Sequence, residues 1–208
     1  MLNIWGRISS INVRKVVWCA QELGLDFQRT EAGGRFGVVQ TPEYLRMNPN
    51  ALVPAIDDGE GEGRVTLWES NVIVRYLSAK YGTGTLYPAD LRQRADTERW
   101  MDWQQTALVP HMGILFRTML RQPPDKIPEE QVRAAVQKAG DNWRILNARL
   151  SDRPFVGGAA LTMGDIALGN AVHRWFKLPI DRPDLPQLKR WYELLCERPA
   201  YREHIASV

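Results

Sequence analysis

Two polar side chains, Ser10 and Asn12, stand where a short apolar strand predicted over 2–5 is followed by an amphipathic helix predicted over 12–23. The first backbone N–H groups of a helix lack partners and carry the positive end of the helix dipole, so they stabilise an anion. A thiol bound there would ionise below its unperturbed pKa of about 8.5. Ser10 or Asn12 would donate to that thiolate, and Ser9 is a neighbouring candidate. Simple helix capping by Ser10 is the alternative interpretation.

A second pair of polar residues, Glu69 and Ser70, precedes a predicted helix that is closed by Gly82. A ligand carboxylate could accept hydrogen bonds from the Ser70 hydroxyl and from backbone N–H groups, while Glu69 accepts from an α-ammonium group. The alternative is a helix cap combined with an acidic residue in the first turn. The pair therefore indicates either a zwitterionic ligand or an ordinary helix start.

The composition is that of a folded protein of 208 residues, with 27 Lys and Arg interspersed among 24 Asp and Glu. This balance argues against a nucleic-acid partner. Cys19 and Cys196 lie far apart, with no CxxC motif and no His at ligand spacing, so we expect no metal site and interpret both as small hydrophobes. No run approaches about 18 apolar residues and no signal peptide is apparent. We therefore expect a cytoplasmic protein with no membrane partner.

The element pattern changes once along the chain. The first 82 residues predict the order βαβαββα, with an antiparallel hairpin near 53–68, and the turn residues of 83–90 predict a linker. Beyond the linker the apolar residues recur at helical spacing only, which predicts a helical domain over 91–208. Thr162 and Asp165 have capping-box spacing and are assigned to folding. The fold class is therefore α/β plus all-α.

Four stretches in this order resemble the glutathione transferases, closest to the bacterial cytosolic type with a Ser-x-Asn turn: Gly6–Val16, Asn48–Pro54, Leu67–Ile73 and Leu161–Ile166. The resemblance spans the whole chain. It implies a thioredoxin-like N-terminal domain, an all-helical C-terminal domain and a homodimer. Glutathione would be the co-substrate, without a metal.

The resemblance also implies roles for individual residues. Ser10 matches the sulfur-activating serine or threonine of the family, and Asn12 fills the second polar position, since the alternative catalytic Tyr or Cys is absent. Val53-Pro54 resembles a turn in which a cis proline leaves the preceding backbone groups free to pair with a peptide ligand. An ordinary proline at the start of an edge strand is the alternative. Glu69 and Ser70 would then hold a γ-glutamyl group.

The helical domain of the family binds the second substrate. By their place in that domain, four residues are candidates, with core packing as the alternative for each: His111, Met112, Phe116 and Trp175. The Arg14-Lys15 pair is expected to be solvated or to contact the glycyl end of the ligand.

Three functions fit these residues and motifs. The first is a glutathione transferase that activates the thiol for attack on a small, largely apolar electrophile. The second is a glutathione-dependent disulfide-bond reductase, which would use the same turn. The third is a non-catalytic interaction module on the same fold, although such a module has no need of an intact site.

Overall fold

A computed structural model of the chain describes residues 1–121 and 127–207. The chain forms two compact units, of which the first contains Met1–Ala89 and the C-terminal segment that begins at Pro199, and the second runs from Asp90 to Arg198. This division differs from the predicted one, in which 83–90 is a linker and 91–208 is helical, because the last residues pack on the first unit. Residues 122–126 and 208 of the predicted helical domain lie outside the described residues.

The first unit is a four-stranded mixed sheet with helices, in the predicted order βαβαββα. The strands lie in the order β2-β1-β3-β4; β1 pairs with β2 in parallel, and the β1–β3 and β3–β4 pairs are antiparallel, which confirms the predicted hairpin. The elements are β1 (Leu2–Trp5), α1 (Ile11–Glu22), β2 (Phe27–Thr30), α2 (Pro42–Met47), β3 (Ala55–Asp58), β4 (Val65–Trp68) and α3 (Ser70–Tyr81).

The core of this unit lies between the sheet and the helices α1 and α3. Apolar residues repeat at two-residue spacing in the strands and at helical spacing in the helices, so each element has an apolar side to bury. Ile4 and Ile56 on adjacent strands have no exposed surface, and the same is true of Val16 on α1 and of Ile73 and Leu77 on α3. The packing of these side chains positions the strand ends from which the site is built.

The C-terminal segment completes the first unit. It contains the short helix α9 (Pro199–Tyr201) and a following π-helical turn, both of which pack against α1. Tyr201 has no exposed surface and meets Trp18 edge-on, with ring centroids 4.9 Å apart. The Gln21 side-chain amide donates to Glu203 at 3.0 Å. These contacts explain why the segment belongs with the sheet rather than with the helices that precede it in sequence.

The second unit is helical, as predicted. Its described helices are α4 (Leu91–Trp103), α5 (Val109–Phe116), α6 (Glu129–Arg149), α7 (Met163–Lys177) and α8 (Pro186–Glu197), with π-helical turns after α4 and α5. Helix α7 is buried along most of its length, and three tryptophans without exposed surface, Trp143, Trp175 and Trp191, pack in the interior. Among the described residues, no helix is both long enough and apolar enough to cross a membrane.

The carboxylate of Asp165 joins three parts of the second unit. It is fully buried and accepts hydrogen bonds from the backbone N–H of Val156 at 2.8 Å, from the Trp191 indole at 2.9 Å, and from the backbone N–H and hydroxyl of Thr162, both at 2.9 Å. The predicted capping box is therefore present at the start of α7. It also fixes the loop before α7 and the helix α8.

Replacing Asp165 should destabilise the protein strongly. In Asp165→Ala, the donors on Val156, Trp191 and Thr162 would stay buried without an acceptor, so we expect a loss of at least about 3 kcal/mol in the free energy of unfolding. Urea denaturation measures it. The control Asp152→Ala removes an exposed carboxylate that contacts Arg153 and should leave the unfolding curve almost unchanged. Equal curves for the two variants would contradict this role of Asp165.

Candidate active site

The strand register brings the three predicted motifs to one edge of the sheet. Trp5 at the end of β1 pairs with Ala55 at the start of β3, and Ala55 pairs with Trp68 at the end of β4. Three segments therefore meet the sheet side by side: the one that follows β1, the one that precedes β3 and the one that follows β4. These segments contain the predicted residues Ser9, Ser10 and Asn12, then Val53 and Pro54, then Glu69 and Ser70.

Ser10 lies at the N-terminus of α1, in an extended conformation with φ −84° and ψ 124°. Its backbone N–H donates to the carbonyl of Arg7, and its own carbonyl accepts from the N–H of Arg14. The hydroxyl forms no capping hydrogen bond, so the capping alternative is not realised in this structure. Ser9 is exposed, and Ser10 and Asn12 are half-buried. Two side chains able to donate hydrogen bonds thus stand at the positive end of a 12-residue helix.

The peptide bond between Val53 and Pro54 is cis. The carbonyl of the preceding Leu52 accepts from the Tyr44 hydroxyl at 2.6 Å and from the Asn48 side-chain amide at 2.8 Å. Within the part of the chain that the structure describes, no hydrogen bond uses the N–H or the C=O of Val53. A peptide ligand could pair with both groups as an added strand does.

The approach of the first loop to this turn requires a glycine. Gly6 has φ +154°, a conformation that side chains rarely allow, and a Cβ atom there would lie 3.2 Å from the Cβ of Val53 and 2.4 Å from a methyl group of Val13. The lack of a side chain at Gly6 therefore lets the first loop, which leads to Ser10, pass close to the cis turn.

Glu69 has a left-handed backbone, with φ +70° and ψ 109°, and an exposed side chain. Such a conformation is uncommon for a residue other than glycine and is found where a site demands it. It turns the chain from β4 into α3. Ser70, the next residue, is 2% exposed and lies at the start of α3.

The basic pair Arg14-Lys15 is buried, so the first of its two predicted roles, that of a solvated pair, is wrong. The guanidinium Nε of Arg14 donates to the carbonyl of Ile8 at 2.8 Å and braces the loop after β1. Lys15 is 1% exposed, and its Nζ donates to Ser70 Oγ at 3.1 Å and to Asn71 Oδ1 at 2.7 Å. Sequence reasoning missed this contact, although Lys15 stands four residues before the buried Cys19 on the same helix.

A cavity of about 430 Å³ lies beside the first loop. Its walls are Arg7, Ile8, Ser9, Glu31, Arg35 and Phe36. The guanidinium of Arg35 lies 4.8 Å from the centre of the Phe36 ring, and Glu31 forms an ion pair with Arg29 at 2.7 Å. The sequence pattern predicted only a glycine-rich loop here. Arginine guanidinium groups are well suited to bind a carboxylate.

The candidates for the second substrate lie on two helices of the second unit. His111 and Phe116 on α5 are half-buried, and the guanidinium of Arg174 on α7 lies 3.6 Å from the centre of the Phe116 ring. Met112 is 6% exposed. Trp175 has no exposed surface and packs against Trp143, with ring centroids 6.2 Å apart. Trp175 is thus a core residue, which is the alternative considered for it from the sequence, because α7 is buried on nearly all sides.

Both cysteines are free thiols in this structure. Cys19 is fully buried, and burial raises the pKa of its thiol to about 12, so it is unsuited to act as a nucleophile. Within residues 1–121 and 127–207, no group of three or more His, Cys, Asp or Glu side chains is placed to hold a metal ion.

The left-handed backbone conformation of Glu69 leads to a prediction about stability. Glycine adopts φ +70° without steric cost, whereas alanine does not, so Glu69→Gly should be more stable than Glu69→Ala by about 1 kcal/mol. Both variants lack the carboxylate and should bind ligand equally weakly. Thermal unfolding of the two variants compares them. Equal or reversed stability would show that the left-handed conformation carries no strain.

Family models and full-length relatives agree on the family. The models named glutathione S-transferase, N-terminal domain, and glutathione S-transferase, C-terminal domain, match residues 9–80 and 129–194. The glutathione S-transferase GstB of Escherichia coli K12 is 38% identical over 204 residues, which are 98% of this chain and 97% of that protein. The disulfide-bond oxidoreductase YfcG of the same strain is 32% identical over 198 residues, which are 91% and 87% of the two chains.

A solved structure with bound ligand is similar over the whole chain. The theta class glutathione S-transferase from the citrus canker pathogen Xanthomonas axonopodis pv. citri, with glutathione bound, has 40% identity and a TM-score of 0.91, covering 100% of this chain and 98% of that one. The mixed sheet and the helical unit agree with these matches. The chain belongs to the glutathione S-transferase family.

Proposed function

We propose that this protein binds glutathione at the edge of the sheet and transfers it to a small, largely apolar electrophile. The observation that carries the proposal is the alignment of three strand ends, which places Ser10, Val53 and Ser70 at one edge. Each of these positions offers hydrogen-bonding groups that could bind one part of glutathione, which is a peptide with a thiol group. The similar structure that contains bound glutathione supports this choice of ligand.

Glutathione would lie across the strand ends as an added, extended strand. Its γ-glutamyl carboxylate would accept from the hydroxyl and backbone N–H of Ser70, and its ammonium group would donate to Glu69. The cysteinyl residue would pair with the N–H and C=O of Val53. The glycyl carboxylate would then reach the cavity that contains Arg7 and Arg35, in place of the Arg14-Lys15 pair considered from the sequence.

The catalytic step depends on the thiolate. The hydroxyl of Ser10 and the side-chain amide of Asn12 would donate to the sulfur, and the N-terminus of α1 adds its partial positive charge. Each of these groups favours the thiolate over the thiol, so a larger fraction of bound glutathione is reactive at neutral pH. The sulfur then forms a bond to the electrophilic carbon of the second substrate. At the same time a halide loses its leaving group, or an epoxide ring opens.

The electrophile would contact α5 of the second unit. Half-buried His111 and Phe116 offer aromatic surface, and Met112 on the same helix is nearly buried, whereas Trp175 has no exposed surface with which to contact a substrate. The guanidinium of Arg174 over Phe116 adds a cation beside this aromatic surface. We therefore propose that apolar aromatic or aliphatic electrophiles fit this surface.

A disulfide-bond reductase is the second candidate, and the 32% identity to YfcG favours it. In that reaction the same thiolate attacks one sulfur of a disulfide, forms a mixed disulfide and releases the other sulfur as a thiolate. The two reactions thus differ in what the second site holds. A non-catalytic module is the third candidate, and the intact set Ser10, Pro54, Glu69 and Ser70 speaks against it.

The cellular setting belongs to the same proposal. We propose a cytoplasmic homodimer that serves in detoxification. The two free cysteines fit a reducing compartment. Three apolar side chains of the first unit, Leu52, Trp68 and Val72, are 65%, 38% and 43% exposed, which is consistent with a partner subunit covering them.

Removing the Ser10 hydroxyl should change the acidity of bound glutathione. A hydrogen bond to a charged group contributes roughly 1.5–3 kcal/mol, so Ser10→Ala should move the thiolate titration to higher pH by about one to two pH units. Asn12→Ala should act in the same direction. The ultraviolet absorbance of the thiolate, recorded against pH, measures this change.

The matched control is Ser78→Ala, which removes a buried hydroxyl from the last turn of α3 and should leave the titration unchanged. A titration that moves in neither Ser10→Ala nor Asn12→Ala would assign activation to the backbone and the helix dipole alone. A wild type that binds no glutathione would contradict the proposed function.

Phe116 should distinguish the transferase from the reductase. We expect kcat/KM to be higher for an activated aryl halide than for a glutathione-exchangeable disulfide, and Phe116→Ala to lower the halide value roughly tenfold without changing the KM for glutathione. The control Ile145→Ala truncates an exposed apolar side chain on α6. A wild type that prefers the disulfide would favour the reductase instead.

A further inference from the structure

Lys15 is a basic residue buried where α1 packs against the start of α3. It is 1% exposed on a helix whose neighbouring Val16 and Val17 belong to the apolar core. Its two hydrogen bonds go to neutral oxygens, those of Ser70 and Asn71, and not to a carboxylate. Burying an ammonium group is costly, and an apolar side chain of similar length often packs there with equal or greater stability. A cost of this kind is expected where a residue serves function.

The contact between Lys15 and Ser70 constrains the hydroxyl proton. An ammonium group has three donors and no acceptor, so at 3.1 Å it must donate to Ser70 Oγ. The O–H of Ser70 therefore cannot point at Lys15 and is available to another acceptor. The backbone N–H of Ser70 belongs to the first turn of α3, where such groups lack helical partners. Both donors of Ser70 can then serve the same anion.

We propose that Lys15 is a positioning residue of the glutathione site, whose ammonium group orients the Ser70 hydroxyl toward the γ-glutamyl carboxylate and provides a positive charge behind it. This inference rests on the proposed function. A carboxylate hydrogen-bonded to Ser70 Oγ would lie within about 6 Å of the Lys15 nitrogen, given ordinary hydrogen-bond lengths. At that distance opposite charges attract in the low dielectric of a buried site.

The charge on Lys15 should depend on pH and on the ligand. Burial lowers the pKa of Lys15 to about 7; the carboxylate of Glu69 opposes this change and the guanidinium of Arg75 adds to it. A bound carboxylate raises the pKa again, so binding takes up a proton. Other charged groups around α1 are Arg14, which donates to the Ile8 carbonyl, and Glu22, Glu203 and His204 toward its C-terminal end.

These two pKa changes of Lys15 determine how the affinity for the ligand depends on pH. Below pH 7 Lys15 is charged before the ligand arrives, and binding is at its strongest. Above pH 7 the free protein must first take up a proton, so affinity falls as pH rises, until the higher pKa of the complex is passed. S-Methylglutathione isolates this effect, because it has no thiol whose own ionisation would favour binding at high pH.

Calorimetric titration with S-methylglutathione tests the proposal on the full-length protein. Lys15→Met should lose roughly 10- to 100-fold in affinity, the range that a hydrogen bond to a charged group represents, and should lose the decline of affinity between pH 6.5 and about 8. Kinetically, it should raise the KM for glutathione with little change in kcat. Its thermal stability should equal or exceed that of the wild type, whereas a purely structural role predicts a loss.

An analogue provides the second arm. With 4-aminobutyryl in place of the γ-glutamyl group, the ligand lacks the carboxylate that Lys15 is proposed to serve, so wild type and Lys15→Met should bind it equally. Ser78→Ala is the matched control at the same helix pair, since Ser78 contacts Cys19 at 3.8 Å, and it should bind both ligands like the wild type. If Lys15→Met does not fold, Lys15→Gln, which keeps a donor without the charge, takes its place.

The outcomes separate the role of Lys15 from the proposed function. A wild type that binds neither ligand contradicts the proposed function. A wild type that binds S-methylglutathione no more tightly than Lys15→Met does contradicts the role of Lys15 alone. Equal losses for S-methylglutathione and for the analogue would show a general distortion of the site and would also overturn the inference.

Discussion

The alignment of Trp5, Ala55 and Trp68 across three adjacent strands is the constraint on which the candidate site depends. Side chains alternate between the two faces of a sheet, so a one-residue slip in either pairing would move an entire apolar set from the core to the solvent. Burial of residues such as Ile4 and Ile56 therefore fixes the register. The register in turn fixes where three connecting segments meet the sheet, so the positions of the candidate ligand-binding groups follow from core packing.

The same edge shows how a site for a charged peptide can be assembled mostly from neutral groups. Backbone N–H groups, hydroxyls and a free peptide edge at Val53 supply hydrogen bonds without the desolvation cost of fixed charges. Charged groups stand at the two ends, with Lys15 behind Ser70 and Arg7 and Arg35 around the cavity. In the proposed complex, such an arrangement would concentrate full charges where glutathione carries its own carboxylates. It would leave the sulfur among dipoles, which would stabilise the thiolate without pairing with it.

Much of the first unit could be predicted from local patterns, because strand alternation, helical spacing and turn residues depend only on residues that are close in sequence. Strand β4 and the start of α3 fall where the pattern places them. Lys15 could not be predicted, since its partners lie more than 50 positions away and a lysine beside an arginine is typical of a solvated pair. Trp175 shows the same limit: its spacing indicates a helix, but only the packing around α7 reveals that every side is covered. The cavity around Arg7 combines residues from two loops, and no single stretch of sequence indicates it.

The contact between Trp18 and Tyr201 makes the first unit discontinuous along the chain. The whole second unit, Asp90 to Arg198, lies between these two residues in the sequence and is therefore synthesised between them. The face of α1 that Tyr201 covers stays open until the second unit has been synthesised, even though all strands of the sheet are already available. Completion of the first unit is thus coupled to a segment that leaves the ribosome after the entire helical unit.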